Sequence, residues 1–122
     1  MGNETKQKLI EKLLNRKRKN DNDSTFTIKV DDMELDAVKL PIPQLLSIVD
    51  KYGDTISDQF NLAQEVIYMS VPLLRENELV SECDVVNPHD VVSKIFGDDV
   101  SIVNSLSAQI QSKYNIKSEI KN

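Results

Sequence analysis

Residues 65–96 read EVIYMSVPLLRENELVSECDVVNPHDVVSKIF, and the fold turns on how this stretch is divided. Val66, Ile67, Met69, Val71, Leu73 and Leu74 leave almost no polar face on its first part. A helix that is apolar nearly all round is buried on several sides, so this segment is read as the central core element. Pro72 has no backbone N–H and clashes with the preceding turn, so the helix must kink or restart there. Asn77 to Asp84 reads as a short charged link. A second helix follows, with Asn87 as its cap, Pro88 at its first position, Asp90 in its first turn and Gly97 as its stop. Its Val91, Val92, Ile95 and Phe96 are expected to pack on Val66–Met69.

The flanking segments add helices on both sides. Leu45, Leu46, Ile48 and Val49 predict a short helix, stopped near Tyr52-Gly53 by a suitable C-terminal glycine. Asp54, Thr55 or Ser57 can cap the next helix, which runs through Phe60, Leu62 and Ala63 into the central segment. After Gly97, Asp98 or Asp99 caps a last helix whose buried side carries Ile102, Val103, Leu106, Ile110 and Tyr114. Further upstream, Thr25 to Val30 alternates so that Phe26, Ile28 and Val30 share a face, which is a strand pattern. Asp31-Asp32 can turn the chain, and Glu34 to Leu40 returns as a second strand. Its register is open, because the apolar residues change phase between Ala37 and Val38. A lone hairpin is marginal in water, so it must lean on the helices or on another subunit's strands.

Residues 1–24 differ from the rest. Asn3 to Lys19 predicts an amphipathic helix with a narrow stripe of Leu9, Ile10, Leu13 and Leu14, and with Arg16, Lys17, Arg18 and Lys19 at its C-terminal end. Asn20 to Ser24 reads as a polar linker. The fold class is therefore α+β and predominantly α-helical. It comprises a domain of about four to five helices with an N-terminal β-hairpin over 25–114, preceded by the basic helix in 1–24 and followed by a frayed polar tail, 115–122.

Composition narrows the function classes. A chain of 122 residues supports one compact domain with an arm or tail. The net charge of −5 hides an asymmetry: residues 1–20 hold seven Lys/Arg and two Glu, a net +5, and the remainder carries −10. The single cysteine, Cys83, excludes an intrachain disulfide and suits a reducing cytoplasm. No stretch is long and apolar enough for a membrane span, and Glu11 and Lys12 interrupt the apolar residues of the N-terminus, unlike a signal peptide.

The run IYMSVPLLRENELV, followed by NPHDVVSKIF, resembles the XkdN-like tail assembly chaperones of contractile-tailed bacteriophages and phage-derived particles. The residues that carry the resemblance are Ile67, Tyr68, Ser70, Pro72 and Leu74, then Pro88, Asp90, Val91, Val92, Lys94, Ile95 and Phe96. It extends over roughly Leu35 to Tyr114 and leaves out the residues before Ser24. The resemblance implies a non-catalytic protein that binds the tape measure protein, helps recruit tail tube protein subunits in the bacterial cytoplasm, and leaves before the tail is complete.

Each chemical candidate has a plainer competitor. His89 can be drawn as a general base, but no nucleophile accompanies it, and an exposed first-turn histidine is the simpler reading. Asp31/Asp32 and Asp98/Asp99 lack calcium-loop spacing and sit where turns and caps use Asp. The three glycines form no phosphate-binding loop, and no cofactor or metal is expected. Arg16–Lys19 can contact phosphates, which gives the chief alternative: a nucleic-acid-associated regulator acting through its basic arm. The cluster lacks interleaved aromatics, and Lys51, Arg75 and Lys94 are too scattered for a recognition helix, so no specific nucleic acid is expected. Partner binding is instead assigned to Leu9, Ile10, Leu13, Leu14 and Arg16–Lys19. That stripe has two readings, a docking surface or a cover for the protein's own core, and self-association of the chain is a further option.

Overall fold

A computed structural model describes residues 2–22 and 24–114. Its order is helix α1 (Gly2–Asn22), strands β1 (Thr25–Val30) and β2 (Met33–Val38), then helices α2 (Ile42–Asp50), α3 (Ile56–Ser70), α4 (Asn77–Cys83), α5 (Val91–Ile95) and α6 (Val100–Gln111). Short 3₁₀ turns intervene at Pro72–Arg75, Pro88–Asp90 and Ser112–Tyr114. The small, predominantly helical α+β architecture with a hairpin near the N-terminus is the one the sequence predicts. The expected tail, 115–122, lies outside the described residues.

The hairpin is antiparallel and pairs Val30 with Met33 around the Asp31-Asp32 turn, where Asp31 takes φ 52°. Aspartate tolerates that left-handed conformation better than most residues. The open phase question resolves in favour of Ala37: Ile28, Val30, Leu35 and Ala37 enter the core, while Val38 is half-buried. The strand ends at Val38, earlier than expected, although Lys39 N–H still bonds Ser24 O at 2.6 Å and Leu40 returns to the core. The hairpin leans on α6 of its own chain.

Helix α3 is the centre, packed against α6, α2 and α5. The Thr55 hydroxyl caps it by accepting from Asp58 N–H at 3.0 Å. Ala63, Val66, Ile67 and the following Val71 are buried, but Leu73 is exposed, so the segment after Pro72 is buried on one side only, through Leu74. Pro72 ends the helix as anticipated. Arg75 then folds back, donating to the carbonyls of Tyr68 (2.7 Å) and Met69 (2.8 Å), two of the orphan acceptors of the helix end.

Four other local expectations are corrected. Asn77–Cys83 is a helix instead of a link, closed by Asp84 at φ 49°. Asn87 makes no side-chain cap; Pro88 opens a 3₁₀ turn, and the α-helix begins only at Val91. Helix α2 stops at Asp50 with Lys51 as its C-cap, before Gly53, which therefore does not terminate it. The linker read over Asn20–Ser24 is helical through Asn22, supported by a Lys17–Asp21 ion pair of 2.7 Å one turn apart. Gly97 does act as the stop: its φ is 68°, and Asp98 N–H reaches Ser93 O at 2.8 Å, closing a Schellman-type end. Asp99, not Asp98, caps α6 through Ser101 N–H and Ile102 N–H.

Candidate functional site

The residues assigned to partner binding all lie on α1, a rod about 30 Å long at 1.5 Å per residue. Every residue from Thr5 to Asp21 is exposed. Leu9, Ile10, Leu13 and Leu14 are 54%, 38%, 66% and 43% exposed, so the stripe does not cover the protein's own core. Of the cationic group, Lys17 pairs with Asp21, and Arg18 donates to Asn15 Oδ1 at 2.9 Å. Lys19 stands in the last turn, where the helix dipole favours it.

A second cluster, which sequence reasoning missed, joins α2 to α3. Glu65 accepts from the Lys51 ammonium with one carboxylate oxygen and from the Tyr52 hydroxyl with the other. Burial alone would raise the Glu65 carboxyl, but these two donors outweigh it and hold it below its ordinary value. Burial, and then the bond to Glu65, push the Tyr52 phenol up to about 12. With both oxygens engaged, Glu65 serves as a strap across the end of α2. A hollow of about 300 Å³ beside it is also lined by Tyr68, Met69, Pro88 and His89. His89 is half-buried there, correcting the exposed-histidine expectation, and its Nε2 lies 3.6 Å from Asp90 Oδ1.

Next to the strap, Gln64 is buried to 2% exposure on the core side of α3. Its Oε1 accepts from Ser93 N–H at 3.0 Å, and its Nε2 donates to Asn61 Oδ1 and Asp90 Oδ1. A side chain from α3 thereby satisfies a first-turn N–H of α5, which has no side-chain cap at Asp90. The sequence did hold one signal: Gln64 falls in the apolar phase of α3, three residues before Ile67.

Cys83 is half-buried at the end of α4. Asp31 and Asp98 occupy left-handed turn positions. Among the described residues no group of three or more His, Cys, Asp or Glu is placed to hold a metal ion, and no helix is long and apolar enough to cross a membrane.

The chain matches no protein-family model, no curated protein and no solved structure. Of the residues that carry the resemblance, Ile67, Ser70, Leu74, Val91 and Val92 are buried, and Pro72 and Pro88 each open a 3₁₀ turn. The buried ones belong to the core, Pro72, Pro88, Lys94 and Ile95 are exposed, and α1 presents the exposed stripe.

Proposed function

We propose that this protein is a non-catalytic tail assembly chaperone that binds a tape measure protein and helps bring tail tube subunits to it. The observation that carries the reading is α1: a basic helix whose apolar stripe, Leu9, Ile10, Leu13 and Leu14, is left uncovered by the body. An amphipathic helix recognises its partner by laying such a stripe against an apolar surface, with flanking charge setting orientation. A tape measure protein is a long, helix-rich chain whose own apolar stripes need cover until tube subunits enclose it. The resemblance of Ile67–Leu74 and Pro88–Phe96 to the chaperone family supplies the identity of the partner.

Co-expression with tape measure fragments, followed by pull-down at low and raised salt, tests this. Retention at both salts is expected, because apolar burial survives ionic screening. Replacing Leu9 and Leu13 together by Asp should abolish capture. Failure to retain any fragment, alongside tight duplex binding that collapses with salt, would favour the nucleic-acid regulator.

A further inference from the structure

We propose that the outer edge of β2 docks an extended peptide segment of another protein, one that alternates apolar and basic side chains. The two edges of the hairpin are treated differently. On β1, Gln109 of α6 acts as a substitute strand: its Oε1 accepts from Lys29 N–H at 2.8 Å and its Nε2 donates to Lys29 O at 2.9 Å. Lys29 therefore points both backbone groups away from β2. Facing residues in an antiparallel ladder alternate between pairs that exchange backbone bonds and pairs that do not. Lys29 with Glu34, Thr27 with Asp36 and Thr25 with Val38 are accordingly pairs of the second kind. Glu34, Asp36 and Val38 must then direct their N–H and C=O groups outward from β2. Among the described residues, nothing else in the chain bonds to those groups.

An open edge of this kind is a template for another strand. Two shallow hollows of about 430 and 450 Å³ share Asp36 and Pro72: the first crosses the hairpin to Thr25, Phe26 and Thr27, and the second follows β2 from Glu34 to Asp36 beside the Pro72–Arg75 turn, which packs on this strand. Leu73, 56% exposed, stands beside the strand on this side and offers an apolar contact to alternate side chains of a ligand. Asp36 is exposed on the other face, and Glu76 lines one hollow, so the remaining side chains should be basic; Glu34 on that face already lies 3.9 Å from the Lys29 ammonium. The same charges argue against a second copy as occupant. Antiparallel pairing of β2 with itself around Leu35 or Asp36 would set these carboxylates against each other, and facing like charges destabilise a sheet. This site is separate from α1 and does not rest on the chaperone reading.

The test uses the full chain and a short synthetic peptide of alternating valine and lysine, followed by backbone amide NMR and hydrogen exchange. The amides of Glu34, Asp36 and Val38 should shift, and their exchange should slow by about tenfold. The peptide N-methylated on its pairing residues, and one alternating valine and glutamate, should do neither. Asp36→Pro should remove the response while the hairpin persists, because that N–H takes no part in the ladder with β1. The proposal fails if those amides do not respond, or if the N-methylated peptide works equally well. It also fails if they become protected with rising protein concentration alone, which would mean self-pairing.

Discussion

Leu13 and Leu106 sit in helices with similar apolar stripes, yet Leu13 is 66% exposed and Leu106 is 0% exposed. The difference lies in what faces each helix. Helix α6 packs on α3 and the hairpin and buries Leu106, whereas α1 carries its stripe along a helix exposed from Thr5 to Asp21. Amphipathic spacing states that a surface wants cover. It does not state whether that cover comes from the same chain.

Mutations on the two helices should separate sharply. Leu106→Ala creates a cavity in the core cluster that also holds Ile67 and Val103 and should cost about 2–5 kcal/mol by denaturant titration. Leu13→Ala should stay within about 0.5 kcal/mol of the parent, as exposed substitutions do. Equal losses at the two sites would mean that α1 packs on the body.

Smaller effects sharpen how the body holds together. Gln64→Ala strips the partner from Ser93 N–H inside the core and should cost about 1–3 kcal/mol. Gln109→Ala frees the edge of β1, which water can reach, so about 1 kcal/mol is expected. No substitution on α1 has a long-range backbone partner of this kind to lose among the described residues.

The Tyr52–Glu65 strap adds a pH dependence that belongs to the body alone. The Glu65 carboxyl is lowered by folding, so its contribution is present above the unfolded carboxylate range and fades as pH falls through the folded value. Tyr52 is raised from 10.0 to about 12, so its contribution is present below 10 and is lost as pH climbs through 12. Both groups are partly solvated, so the changes should be modest. Glu65→Gln should flatten the acid limb of the stability profile and Tyr52→Phe the alkaline limb, with unchanged limbs assigning the strap no stabilising role.

Local signals were legible in the sequence, and distant ones were not. Strand β1, a cap among Asp54, Thr55 and Ser57 and another at Asp98 or Asp99, the break at Pro72 and the stop at Gly97 each depend on residues a few positions apart. Helix α4 was missed because seven residues with Leu79 and Val80 as the only aliphatic side chains give no periodic pattern; packing on α5 and the Pro72–Arg75 turn holds it. The contacts of Gln109 with Lys29 span 80 positions, and those of Gln64 with Ser93 span 29, so no window along the chain contains them. Ile95 was expected inside with Val91 and Val92, but α5 ends there and leaves it 38% exposed, with Phe96 only partly buried. For α1, the sequence supplied the stripe and its charge but left open which surface would cover it.

The smallest expected effect is also the most direct test of the division between arm and body. Deleting residues 2–20 removes the exposed stripe and the cationic cluster, and every residue from Thr5 to Asn20 is exposed. Urea unfolding of the shortened chain, followed by circular dichroism, should remain cooperative with an unchanged midpoint, while capture of tape measure fragments is lost. A lower midpoint or a broadened transition would show that Leu9, Ile10, Leu13 and Leu14 belong to the protein's own core, and would contradict the account.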